Sequence, residues 1–179
     1  MNIQTKDFTV RNATENDAPI LCSWWNDGKV MQHAGFPNGL GTTAAAITQS
    51  LSTDTDETHR RCIIEVEQIP IGEMNYRNKG NATAEIGIKI CDFSRQNQGL
   101  GTRILRAFMH SLFSEYGYEK IILDTNLQNQ RAQHVYTKLG FIQLRTEINS
   151  WKNQLGEPQY QIYYEISKAR FYKINPIID

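Results

Sequence analysis

The sequence predicts an α/β (α+β) fold: a mixed, mostly antiparallel sheet of six to seven strands with helices on both faces. Three observations carry this expectation. Three strand-like runs follow one another between residues 61 and 91 with only short turns between them, which reads as an antiparallel meander. A glycine-containing junction and a long amphipathic helix then lead into the apolar run at residues 119–124. That β-α-β unit implies one parallel pairing inside the sheet. Finally, 179 residues that are 40 % apolar and 21 % charged suffice for one substantial core and do not require two, so residues 1–179 are read as one domain.

Taken in order, residues 7–12 alternate at Phe8 and Val10, a strand with one buried face. Thr14 and Asp17 resemble a capping box with Asp in the usual Glu position, and Pro19 fits only near a helix start. The helix that follows ends at residues 26–28, with Leu21, Trp24 and Trp25 on its apolar face. Residues 29–41 read as a loop whose Met31, His33 and Phe36 must pack down or line something. Thr42 or Thr43 caps a second helix over Ala44–Leu51. The meander occupies residues 61–67, 71–77 and 82–91. Within residues 100–116, Leu100, Ile104, Leu105, Phe108, Met109, Leu112, Phe113 and Tyr116 form a broad stripe suited to a helix lying on a sheet. Residues 129–139 form a further helix stopped by Gly140, and residues 141–150 and 159–167 a last strand pair around the turn at 152–158. Residues 168–179 carry no assignable pattern.

Composition narrows the function classes. Lysine plus arginine equals aspartate plus glutamate, which removes the basic footprint of a nucleic-acid binder and points to a small or locally recognised partner. Three cysteines without Cys-x-x-Cys pairing read as reduced buried thiols, and the four histidines lack metal-ligand spacing, so no metal is expected. No window approaches the roughly 18 apolar residues of a membrane helix, so a cytoplasmic protein without membrane contact is expected, as a monomer or homodimer.

The chemistry-bearing stretch is Gln96-Asn97-Gln98-Gly99-Leu100-Gly101-Thr102, between a strand and a long helix. Two glycines spaced one apart let backbone N–H groups face a common point, and a helix N-terminus adds unpaired donors and the positive end of its dipole. On these seven residues alone, tight packing and anion binding stand equal.

Beyond this junction, the chain resembles the GCN5-related N-acetyltransferase (GNAT) superfamily, in the branch similar to ribosomal-protein-alanine N-acetyltransferases. Residues 96–101 stand where that family has Arg/Gln-x-x-Gly-x-Gly/Ala. Asn129-Gln130-Arg131-Ala132, Val135-Tyr136 and Lys138-Leu139-Gly140-Phe141 resemble its second signature, Asn-x-x-Ala-x-x-x-Tyr-x-x-x-Gly-Phe. Ala84-Glu85-Ile86-Gly87-Ile88 resembles the central strand, and Trp24-Trp25-Asn26-Asp27 the early Trp-x-Asp stretch of the branch. The segment from Cys91 to Gln98 is slightly longer than in many relatives, and residues 92–94 lack the Pro often seen there.

The resemblance implies a sheet splayed at its centre and acetyl-CoA as co-substrate. It implies that Gln96, Gln98, Gly99, Leu100, Gly101 and Thr102 cradle the pyrophosphate. Ile88, Lys89 and Ile90 would pair with the pantetheine arm as if it were an added strand, and Asn129, Ala132 and Tyr136 would complete the cofactor site. Glu85 is then the candidate general base and Tyr136 the candidate acid for the leaving thiolate. An outward-facing strand glutamate and a core tyrosine remain open alternatives for the two, and Asp124 is a lesser candidate base. The implied reaction is direct acetyl transfer to a primary amine, on a small molecule or a protein N-terminus. A catalytically silent CoA-binding sensor of the same fold, or a nucleotide-binding phosphate loop, are the competing readings.

Overall fold

The computed structural model describes residues 1–176; residues 177–179, the end of the domain read from the sequence, lie outside the described residues. The elements run β1 (Asn2–Gln4), β2 (Thr9–Asn12), α1 (Ala18–Trp25), α2 (Gly28–Met31), α3 (Ala44–Leu51), β3 (His59–Val66), β4 (Ile69–Asn78) and β5 (Thr83–Ile90). They continue as α4 (Leu100–Ser114), β6 (Lys120–Asn126), α5 (Gln130–Leu139), β7 (Ile142–Lys152), β8 (Pro158–Ser167) and α6 (Lys168–Ile174). The strands form one sheet in the order β1-β2-β3-β4-β5-β6-β8-β7. The β5–β6 pair is parallel and the other six pairs are antiparallel.

The mixed sheet, the meander and the β-α-β unit stand as the sequence predicts, with one strand more. β1 has three residues, too few to show alternation, and pairs Ile3 with Val10. Residues 29–41 also hold more structure than a loop. The Asp27 side chain accepts the Lys29 N–H at 2.7 Å and starts α2, and a 3-10 turn over Gln32–Ala34 follows. At the unassigned tail the Ser167 side chain caps α6, which buries Phe171.

Strand alternation sorts the side chains onto two faces. Cys62 and Ile64 of β3 point into the larger core with Met74, Tyr76, Ile86, Ile121 and Leu123. α4 closes that core through Ile104, Leu105, Phe108, Met109, Leu112 and Phe113, all at most 2 % exposed. Each such side chain contributes about 1.5–3 kcal/mol of burial, which makes α4 the main anchor of this face. Ile63, between Cys62 and Ile64, points the other way and packs with Leu21 of α1 and Ile47 and Leu51 of α3. The three cysteines are free, and burial pushes the Cys62 thiol up to about 12, so it stays an inert protonated thiol.

The start of α1 is fixed more firmly than by a cap alone. Asp17 accepts the Thr14 N–H at 2.7 Å and two N–H bonds from Arg11 of β2, both at 2.8 Å. Burial would raise the Asp17 carboxyl, but the Arg11 and Thr14 bonds outweigh it and hold it below its usual range. A depressed folded-state pKa stabilises the protein above the unfolded value of about 3.9, and that stability is lost as pH falls through the folded value. Asp17→Asn is therefore expected to lower stability by about 1–3 kcal/mol at pH 7 in urea titrations, with the deficit closing below about pH 4.

Candidate active site

β5 and β6 pair only from Thr83/Lys120 to Glu85/Ile122. Beyond that point β5 stays with β4 as far as Ile90, while β6 stays with β8 as far as Asn126, so the two strands part. The Cys91 N–H donates to Ile71 of β4 at 2.8 Å. By alternation, the N–H and C=O groups of Ile88 and Ile90 face away from β4 and into the gap. Lys89 turns its backbone into the β4 ladder and offers the gap only its side chain. The Lys89 ammonium lies 3.0 Å from the buried Glu73 carboxylate, which also accepts the Trp25 indole N–H from α1 at 2.8 Å.

The gap opens into a cavity of about 860 Å³, large enough for an extended cofactor together with a small second substrate. One end is the start of α4. Gly99, with φ of +71°, precedes the helix, and no side chain caps it, so the first helical N–H groups are unpartnered. A Cβ placed on Gly99 or Gly101 would meet nothing within 4 Å. The protein's own packing therefore does not demand glycine at 101, whereas a ligand lying on the N–H groups would. Gln96 braces this end: its amide donates to the Ile90 carbonyl at 2.8 Å and accepts from Arg131 of α5. Asn129 caps α5 by accepting the Ala132 N–H at 3.2 Å.

At the other end stand Tyr136 and Asp124. Tyr136 is buried but lines the cavity, and among the described residues its hydroxyl has no hydrogen-bond partner. Burial, with the charge of Asp124 and the neighbouring Tyr164, pushes its phenol well above the usual range, so it stays protonated. Asp124, on β6 just past the parting, is accessible from the cavity. Enclosure by the walls raises its carboxyl above the usual range and the charge of Glu85 adds to this, against a lowering bond from Gln161 at 2.5 Å.

Of the residues expected at the cofactor site, Ile88, Lys89, Ile90, Gln96, Gly99, Leu100, Gly101, Thr102, Asn129, Ala132 and Tyr136 line one cavity. Two expected residues do not reach its wall. Gln98 bends back to the Ser94 carbonyl at 2.9 Å, and Glu85 pairs with Lys79 at 3.2 Å beside the last β5–β6 register pair. Arg131, Trp151 and Gln161 also line the wall without being marked by the sequence, because β7 and β8 bring the latter two from far along the chain. His33, whose pKa is lowered by burial and by the charge of Arg131, joins the wall from the turn after α2.

That turn and the β7–β8 hairpin are clasped together. Gln154 accepts the Asn38 N–H at 2.9 Å, donates to Gly39 at 3.0 Å, and gives its own N–H to Gly35 at 2.9 Å. Trp151 lies directly against Gly35, where a Cβ would sit 2.2 Å from the ring.

The family model described as Acetyltransferase (GNAT) domain matches residues 7–142, and the chain belongs to that family of acetyltransferases. Aminoglycoside N(6')-acetyltransferase type 1 of Klebsiella pneumoniae is 28 % identical over 146 residues, 74 % of this chain and 73 % of that one. The spermidine N-acetyltransferase of Vibrio cholerae, solved with CoA and spermine, superposes with a TM-score of 0.83 at 19 % identity, covering 93 % of this chain and 99 % of that chain. A ribosomal L7/L12 alpha-N-protein acetyltransferase, solved with CoA, gives 0.82 at 17 % identity over 93 % of this chain and 98 % of its own.

The clasp yields a direct test. Gln154→Ala removes the acceptor of the Asn38 N–H, a bond worth about 1 kcal/mol. Hydrogen exchange at the Asn38 amide should accelerate by about five- to ten-fold, with exchange in α4 unchanged.

Proposed function

We propose that this enzyme transfers the acetyl group of acetyl-CoA directly to a primary amine, with Asp124 accepting the amine proton and Tyr136 protonating the leaving thiolate. One observation carries the reading: the free edge of β5, the open cradle at Gly99–Gly101 and the Asp124–Tyr136 pair line a single cavity. Acetyl-CoA supplies an acetyl thioester. The N–H groups of Leu100, Gly101 and Thr102 would hold the pyrophosphate. The Ile88 and Ile90 backbone would receive the pantetheine amides, with the Ile88 N–H facing the developing oxyanion, a donor of the kind worth about 10²–10³ in rate. Arg131, His134 and Lys138, one cavity-facing stripe of α5, suit the ribose phosphate.

The amine arrives as an ammonium ion and must lose a proton before it attacks. Glu85 is the base that sequence favours. Its ion pair with Lys79 and its place outside the cavity wall favour Asp124 instead, with Glu85 raising Asp124's proton affinity from the neighbouring strand. A carboxylate and the Trp151 ring in the wall of one cavity suit a cationic small amine, by charge and by cation–π attraction. The Klebsiella relative, named for its aminoglycoside substrate, supports a small polyamine or amino sugar over a protein N-terminus.

Incubation with acetyl-CoA and a panel of polyamines, aminoglycosides and amino-terminal peptides should release free CoA with a cationic small amine. Asp124→Asn and Tyr136→Phe should each lower kcat by about 10²–10⁴ without loss of CoA binding, and Glu85→Gln by less than about ten-fold. CoA binding with no turnover on any amine would favour a CoA-binding module instead. Gly101→Val should keep the melting temperature and weaken CoA binding by more than about ten-fold, because its Cβ meets no protein atom and stands where the phosphates would lie.

A further inference from the structure

Asp124 belongs to a chain of side chains that ends at the protein surface. Its Oδ2 accepts the Gln161 amide N–H at 2.5 Å. The Gln161 carbonyl oxygen lies 3.2 Å from the Tyr163 hydroxyl, which also lies 3.1 Å from the Glu147 carboxylate. Glu147 in turn accepts the Arg145 guanidinium at 2.8 Å, and Arg145 sits 3.9 Å over the Tyr163 ring. Gln161 and Tyr163 stand on β8, and Arg145 and Glu147 on β7.

An amide has a donor end and an acceptor end, and either can face a given neighbour. A carboxylate only accepts, so the Gln161 amide turns its N–H end toward Asp124, while the single Tyr163 hydroxyl proton goes to the Glu147 carboxylate at 3.1 Å. The Gln161 bond occupies Oδ2; among the described residues Oδ1 has no partner. From these contacts we infer that Gln161 is a positioning residue. It engages one Asp124 oxygen, leaves the other toward the incoming amine and favours the carboxylate form. This rests on the reading of Asp124 as proton acceptor.

Among the described residues, the charged and titratable groups around Asp124 are Glu85 from β5, Tyr136 from α5 and Tyr163, two residues further along β8 from Gln161, with His33 on the cavity wall from the turn that packs against β6. Glu85 and enclosure by the walls favour the protonated acid, and the Gln161 N–H is the contact that favours the carboxylate. A base works when unprotonated, so rate is lost as pH falls through its pKa. Without the Gln161 bond that pKa rises and the acidic limb of the rate profile moves to higher pH.

The experiment is the pH profile of kcat/KM, measured with one responsive amine for wild type, Gln161→Leu, Gln161→Glu, Tyr163→Phe and Asp124→Asn, with CoA affinity and melting temperature as controls. Gln161→Leu should move the acidic limb up by about one pH unit, lowering kcat/KM about ten-fold on the acidic side and leaving CoA affinity unchanged. Gln161→Glu sets a second carboxylate against Asp124 and should move the limb further. Tyr163→Phe leaves the Asp124–Gln161 bond in place and should keep the limb at the wild-type pH. A Gln161→Leu limb at the wild-type pH, in folded protein and with Asp124→Asn inactive, would overturn the positioning role alone. Wild-type activity and limb in Asp124→Asn would overturn the underlying base assignment.

Discussion

The structure turns on where β5 stops pairing with β6. A backbone N–H or C=O buried without a partner is costly, so a strand in mid-sheet ordinarily bonds on both sides. β5 does so only to Glu85 and then keeps a single neighbour, with Ile88 and Ile90 left facing the gap. The arrangement holds because each departing strand has a full ladder on its other side, β5 with β4 and β6 with β8. Gln96 satisfies the Ile90 carbonyl from outside the sheet. What remains is an open strand edge along Ile88 and the Ile90 N–H.

Both signature helices begin at this gap, and their placement follows from burial. α4 lies against the sheet through a continuous apolar stripe that sets the position of its N-terminus to the precision of a packed core. α5 is shorter and buries less; Asn129 sets its start, and the Gln96–Arg131 contact ties that start to the cradle loop. On the opposite face, the Arg11–Asp17 pair orients α1, whose Trp25 reaches Glu73 and through it Lys89 in the cavity wall. The wall thus draws rigidity from both layers.

Legibility in the sequence followed the distance over which each feature is encoded. The glycine junction, the Asn129 cap, the Gly140 stop and the stripe of α4 are local, and all were readable. The parallel pairing could be inferred from element order. Which of Glu85 and Asp124 reaches the cavity could not, since both sit on strands at the parting and only three-dimensional pairing shows that Lys79 occupies one while the other lines the wall. Gln161 and Trp151 carry no local mark, and β8 and β7 bring them to the site. The extra strand β1 was too short for any periodicity to register.

The clasp of Gln154 and Trp151 on residues 35–39 divides the cavity into parts of different origin. The part at the start of α4 and the edge of β5 is made from regular strands and helix starts whose geometry the core dictates. The other part is walled by the β7–β8 hairpin and the turn after α2, which meet at the clasp, and the turn's far side is tied to α1 through the Leu40 N–H and the Trp25 carbonyl. A substitution or length change at the hairpin tip reaches this wall without passing through α4 or the free edge of β5. One wall can therefore be recast over evolutionary time while the core-built part of the cavity stays as it is.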